Sequence, residues 1–343
     1  MHHTITRITA IAGIAVLGLG LAGCNASAAP SAENEGPELI LVTPEPAGAN
    51  EFIKLSIQGI EDAAEATGGT ARVFESADIS KVSQQLDAAI AAQPAVVAVV
   101  GFEFVDSIAA LAPQNPDQQF LFVDACIPDE LPNVTCAVFR EHEAVYLAGV
   151  EAGLLTTTNK VGAVVALDTP QIRRFSDPFG AGAESVNDAA AFTPLYVGGQ
   201  NPFNDPSRAK EQTLSLVNSG VDVVMASSAG GNSGVFDAAQ SSGILAFGVD
   251  ANQCPQAPGA VLDNVLKEVD VVIVSSIESI LDGEAGGVKS YGVAEGAVTL
   301  TSLTDGVADS GCVIAEYPEV IEQVAGVRDQ IVSGEISVDD PAA

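Results

Sequence analysis

Nucleophilic catalysis of the Ser-His-Asp kind needs a histidine, and beyond residue 24 this chain has one. It is His142, inside the acidic run Glu141-His142-Glu143. A histidine between two glutamates reads as a solvated surface residue. No P-loop, G-x-S-x-G or H-E-x-x-H motif occurs. The one G-x-G-x-x-G, Gly18 to Gly23, lies inside an apolar N-terminal run, where it cannot serve as a nucleotide loop. Carboxylates are abundant, but nothing in their spacing picks out an acid–base pair. Zinc is not expected, because no paired C-x-x-C exists. The expectation is a protein that is not an enzyme and requires no cofactor.

The cysteines are more informative. Arg7 precedes an uncharged apolar stretch, Ile8 to Gly20, which leads into Leu21-Ala22-Gly23-Cys24. That order is a secretory signal, and the final tetrapeptide resembles a bacterial lipobox. It implies removal of residues 1–23 and lipid on Cys24, placing the protein on the extracytoplasmic face of the cell membrane. The apolar run is too short for a spanning helix, which needs about 18 residues. Four further cysteines remain, an even number in an exported chain. Cys126 and Cys136 flank a short Pro-containing loop and lie within disulfide reach, which leaves Cys254 and Cys312 as the second pair.

Composition narrows the partners. The formal charge of −32 disfavours nucleic acid and anionic lipid as direct partners. Residues 24–37 are Ala/Ser/Glu/Pro-rich without apolar periodicity and read as a tether. The remaining length suits two domains of ordinary size.

Elements able to position a site follow from the hydrophobic pattern. Apolar runs at 39–42, 95–100, 120–123, 161–165 and 244–249, and 221–225 interrupted only by Asp222, read as strands buried on both faces. Shorter strand-like stretches lie at 71–74 and 193–197. Helical spacing occupies 52–67, 79–92, 146–155, 207–218, 235–240 and 269–281. The alternation predicts an α/β protein with parallel sheets, two of which fit the length. Ligands of such sheets bind beyond the carboxyl ends of the strands. There the sequence places Thr43, Phe102, Asp124, Asp168, Ser227 and Asp250.

Several segments taken in order resemble the basic membrane protein family, the purine-nucleoside-binding lipoproteins of ABC importers. They include Val100-Gly-Phe102, Asn115 to Phe120, Val123-Asp124, Tyr146 to Gly149, Arg174-Phe175, Phe203-Asn-Asp205, Ala229-Gly-Gly231, Phe247 to Asp250 and Leu266 to Asp270. The resemblance spans nearly all of 39–300. It implies two Rossmann-like lobes around a hinged cleft, the type 1 periplasmic binding protein fold. The first lobe would comprise 38–139 plus about 267–290, and the second 140–266 plus the C-terminal segment. It further implies that Phe52 and Phe203 face the base, with Phe175 on the same wall. Asp250 and Lys267 would meet the ribose, and Asp124 the base edge or a hydroxyl. Gly230 would let backbone amides approach the ligand. Phe102 and Phe179 are expected to be structural. One departure concerns Thr43 to Ile53, where the family carries aspartates and an asparagine that are missing here. Asn50 or Glu51 would have to substitute. The implied function is capture of a purine nucleoside or similar small polar ligand for delivery to an ABC permease. A sugar or signalling-ligand receptor is the alternative within the fold, and a nucleoside-processing enzyme the alternative outside it.

Overall fold

The structure is a computed structural model and describes residues 36–77 and 79–343. The signal segment, Cys24 and most of the tether lie outside the described residues.

The first half of the chain runs β1 (Glu38–Thr43), α1 (Glu51–Thr67), β2 (Thr70–Glu75), α2 (Val82–Ala91), β3 (Val96–Val100), α3 (Val105–Leu111), β4 (Gln119–Val123) and β5 (Val134–Phe139). Next come α4 (Glu141–Leu155), β6 (Lys160–Val165), α5 (Pro170–Arg173), α6 (Asp177–Val186), β7 (Ala191–Tyr196), α7 (Pro206–Ser219), β8 (Val223–Ser227), α8 (Asn232–Ser242), β9 (Leu245–Asp250) and β10 (Val261–Lys267). The chain ends with α9 (Val269–Leu281), β11 (Gly287–Tyr291), β12 (Val298–Leu300) and α10 (Pro318–Val332).

Two six-stranded sheets result, ordered β11-β5-β4-β3-β1-β2 and β12-β10-β9-β8-β6-β7. All pairings are parallel except β10 with β12. The α/β architecture with two parallel-dominated sheets is the one the apolar runs predict. The chain leaves the first sheet after β5, returns for β11, and rejoins the second sheet at β12.

Burial explains the strand sequences. Every residue of β3 is buried, as is Leu39 to Thr43 of β1, because helices cover both faces of the sheet. Each fully buried Val, Leu or Ile side chain contributes about 1.5–3 kcal/mol. Helix α1 starts at Asn50, whose side chain accepts from the Ile53 amide at 3.4 Å, and stops at Gly68 with φ 65°. It packs on α9, and Gly59 permits that approach: a Cβ there would lie 2.7 Å from the Asp270 Cα. Helices α4 and α6 pack closely in the same way, since a Cβ on Gly182 would lie 2.1 Å from the Tyr146 carbonyl oxygen.

Two disulfides are present, Cys126–Cys136 and Cys254–Cys312, with Cα separations of 5.3 and 5.0 Å. The sequence pattern missed α3, α5, α6, α10 and the strands β5 and β10 to β12. It also misplaced His142, which is only 5% exposed in the first turn of α4. That helix is apolar on all sides, and its N-terminal turn is buried along with the rest. The His142 Nδ1 has no hydrogen-bond partner and lies 4.0 Å from the Asp340 carboxylate. Burial outweighs the nearby carboxylates and holds the imidazole below its ordinary pKa.

Candidate functional site

The carboxyl ends of both sheets open on one cavity of about 620 Å³. The first sheet contributes the segments after β1, β2, β3, β4 and β5, and the second those after β6, β7 and β8 with the ends of β9 and β10. This is where an open α/β sheet presents its loops and helix starts to a ligand.

At one pole sits an ion cluster. Lys267 closes β10 and is 3% exposed. Its ammonium donates to Asp124, just past β4, and to Glu141 Oε1 at 2.7 Å. Two aromatic faces flank it, Phe139 at 4.6 Å and Phe52 at 4.9 Å from Nζ to ring centroid. Burial favours the neutral amine, but the Asp124, Glu141 and Asp250 carboxylates prevail and push the lysine pKa up. Burial pushes up Glu141 too, yet Lys267 and its other polar neighbours bring it below the carboxylate range. Asp124 goes the other way: burial, reinforced by Glu141, raises it despite Lys267. Arg174 extends the cluster, 3.8 Å from Glu141 Oε2, and is itself held in a fork by both Asp340 oxygens at 2.6 and 2.7 Å.

Asp250 ends β9 on the opposite sheet with φ 71°. Among the described residues its carboxylate has no hydrogen-bond donor. Burial raises it to about 6, against the pull of Lys267. Its position is fixed from below. Gln253 Oε1 accepts from the Val249 amide at 3.1 Å and from Asn232 at 3.2 Å, and the Gln253 amide donates to Asn264 Oδ1 at 3.0 Å. The Asn264 amide nitrogen lies 3.1 and 3.4 Å from the two sulfurs of the Cys254–Cys312 disulfide.

At the other pole, Phe102 and Phe203 meet from the two lobes with centroids 6.3 Å apart and planes tilted by 53°. Phe102 is therefore a cavity residue and not the purely structural one the sequence suggested. Its place after β3, which is buried throughout, forces the next turn into the open end of the sheet. Phe179 is fully buried in the core.

Of the residues predicted for the site, Asn50, Phe52, Asp124, Phe175, Phe203, Asp250 and Lys267 all line this cavity. Gly230 does not, and Ala229 lines it instead. A Cβ on Gly230 would lie 2.7 Å from Asn204 Oδ1, so its bareness admits Asn204 and not a ligand. The Asn50 side chain is engaged locally, capping α1 and donating to Glu45 at 3.2 Å. Glu51 pairs with Lys54 at 3.0 Å and is outside the cavity lining. Asp168 lies outside it as well, paired with Arg173 at 2.7 Å. Sequence reasoning missed Glu45, Glu103, Glu141 and Arg174. Only the N-terminal position of Glu141 on an apolar helix hinted at burial. Among the described residues no group of three or more His, Cys, Asp or Glu side chains is placed to hold a metal ion.

Comparison with known proteins gives this geometry a context. Residues 50–341 match the family of PnrA-like ABC transporter substrate-binding proteins, Bmp. The ABC transporter nucleoside-binding protein BmpA of Lactococcus lactis is 30% identical over 256 residues, 70% of this chain and 69% of its own. The CD4+ T-cell-stimulating antigen of Listeria innocua is 30% identical over 285 residues, 77% and 76% of the two chains. A solute-binding protein of an ABC transporter system from Aeropyrum pernix has the same fold, with a TM-score of 0.79 at 23% identity, covering 90% of this chain and 94% of that one. The chain belongs to the Bmp family of ABC transporter substrate-binding proteins.

Proposed function

We propose that this Bmp-family substrate-binding protein captures an uncharged purine nucleoside between its lobes and presents it to an ABC permease. Lipid on Cys24 would tether it to the extracytoplasmic face of the membrane. The lobe division proposed is the one read from the sequence, 38–139 with about 267–290 against 140–266 with the C-terminal segment.

The observation that carries the reading is the Asp250 carboxylate, unpartnered among the described residues, at the same cavity as the Lys267 cluster and the Phe52 ring. A ribose offers adjacent hydroxyls that a carboxylate accepts and an ammonium supports. A flat base offers faces for Phe52 and for the Phe102–Phe203 pair, each stacking contact contributing on the order of 1 kcal/mol or more. The cavity lining carries five carboxylates and two cations, and both cations are already paired. A phosphate would meet net repulsion there, which favours nucleosides over nucleotides. The L. lactis relative, named as nucleoside-binding, supports the same ligand class.

Contacts from two lobes favour the closed arrangement, and the ligand's work is done by binding alone. No step of covalent chemistry is assigned to any residue. Thermal-shift titration with nucleosides, nucleotides and free sugars tests this directly. Nucleosides should raise the melting temperature while the matching 5′-monophosphates do not. A shift with sugars alone would point to a sugar receptor. Appearance of free base during incubation would point to an enzyme.

A further inference from the structure

The aromatic pole of the cavity contains a carboxylate that the nucleoside reading leaves unused. Glu103 follows Phe102 directly and lines the same wall. Its Oε2 folds back over Gly101, 2.5 Å from where a Cβ on that residue would sit. Gly101 has φ 96° and no side chain, so the turn after β3 leaves space for the carboxylate at the cavity. Among the described residues the one hydrogen-bond donor to the Glu103 carboxylate is its own backbone amide. The nearby charge is Glu45, of the same sign, and the Glu45 Oε1 is already an acceptor for Asn50. Neither cavity cation faces it, since Lys267 and Arg174 are spent on Asp124, Glu141 and Asp340.

A half-buried carboxylate with a single donor for its two oxygens costs free energy until a ligand brings more. The neighbouring Phe102–Phe203 pair is where a flat ring would lodge, so the donors must lie on a ring edge. An ionised carboxylate accepts two parallel N–H groups and offers no donor in return. A guanine-type edge presents two donors side by side, a ring N–H and an exocyclic amine. A hypoxanthine edge presents one. An adenine edge presents an amine beside a ring nitrogen that is itself an acceptor, which an acceptor-only group repels.

Resting on the nucleoside reading above, we infer that Glu103 is a specificity-determining residue that selects purine nucleosides with a donor–donor base edge over those of the adenine type.

The test is isothermal titration of the full chain with guanosine, inosine, adenosine and 1-methylguanosine. It is run near pH 8, because burial raises the Glu103 carboxyl to about 7 and the ring N–H of the base must keep its proton. Wild type should bind guanosine most tightly, inosine next, and adenosine about tenfold or more below guanosine. Methylation at N1 should weaken guanosine similarly. Glu103→Gln, which keeps one acceptor and gains a donor, should weaken guanosine about tenfold and strengthen adenosine, whose ring nitrogen then meets a donor. Equal wild-type affinity for guanosine and adenosine overturns the assignment and leaves the nucleoside reading intact. A uniform loss for all ligands in Glu103→Gln likewise overturns it, since that is the signature of a structural role. The wild-type series, including the methylated ligand, decides the matter even where the variant does not fold. Wild-type protein that binds none of the four nucleosides overturns both readings together.

Discussion

Asp124 and Asp250 occupy equivalent places in the two sheets and share one backbone conformation. Asp124 follows β4 with φ 70°, Asp250 ends β9 with φ 71°, and each strand is third from its sheet's edge. Both residues adopt the left-handed region, which an aspartate tolerates better than most residues. Their electrostatic fates differ. Asp124 is satisfied by the buried ammonium of Lys267, whereas Asp250 faces the cavity with no donor among the described residues. A pair of related lobes thus yields one carboxylate committed to the protein and one available to a ligand.

Replacing Asp250 with Asn should separate binding from stability. Burial raises this carboxyl to about 6, so ionising it at neutral pH works against folding. The folded-state pKa lies above the unfolded one, so stability from this group is present at acid pH and lost as pH rises towards 6. Asp250→Asn should therefore be more stable than wild type at pH 8, by roughly 1–3 kcal/mol in urea unfolding. Nucleoside-dependent shifts should disappear in the same variant. Retention of a full ligand shift would remove Asp250 from the site.

Lys267 should behave in the opposite way. It pairs with two carboxylates at the cavity wall, Asp124 and the almost fully buried Glu141. Lys267→Met leaves Asp124 without its cation and Glu141 with only Arg174, 3.8 Å from its Oε2, and should cost about 3–5 kcal/mol in urea unfolding. Adding Glu141→Gln should return part of that loss, because one of the two stranded charges is gone. Strict additivity of the two substitutions would show that the lysine and glutamate act independently, contrary to their 2.7 Å contact.

The parts of this site that were legible in the sequence share a physical cause. Strand cores such as Val96 to Val100 are apolar without interruption, so their ends are sharply marked. Asp124 and Asp250 stand out as the first charges after such runs. The family-like segments then pointed to Lys267, which sits in a mixed sequence, Asn264 to Asp270, where pattern alone is silent. Glu141 and His142 were misread because local charge suggested solvent, whereas tertiary packing buries that turn. Glu103 and Arg174 left no pattern, since their roles depend on a turn at Gly101 and on Asp340, 166 residues away from Arg174.

A second buried acid pair predicts a distinct pH response. Glu151 on α4 and Asp263 on β10 are both fully buried, with Ser302 donating from its hydroxyl to Glu151 at 2.7 Å and from its amide to Asp263 at 3.1 Å. The remaining Glu151 oxygen, Oε2, has no partner. Burial pushes Glu151 well above its ordinary value, and Asp263 adds to the push; burial takes Asp263 itself to about 6. Raised carboxyl values mean that this pair supports the fold most in acid and progressively less as pH climbs through 6. Glu151→Gln supplies an N–H where the proton would sit. It should raise the urea midpoint at pH 8 and change it little near pH 5. An equal effect at both pH values would show that no proton is shared there.

The longer disulfide should matter for affinity as well as for folding. Cys254 and Cys312 are 58 residues apart, and Cys126 and Cys136 are 10 apart. Loop-closure entropy then assigns about 4 kcal/mol to the first bridge and about 3 kcal/mol to the second. Their positions differ more than their energies. Cys126–Cys136 joins the segment after β4 to β5, whereas Cys254–Cys312 clamps the segment that follows Asp250. Asn252 in that segment donates to the Ser310 carbonyl at 2.9 Å, and Asn264 contacts both sulfurs. Releasing this clamp frees the loop that aims the Asp250 carboxylate. Cys254→Ala/Cys312→Ala should therefore lose nucleoside affinity as well as stability, while Cys126→Ala/Cys136→Ala should lose mainly stability. Titration calorimetry well below each variant's melting temperature separates the two effects. Unchanged affinity in the first variant would show that β9 and its hydrogen bonds hold Asp250 in place without the bridge.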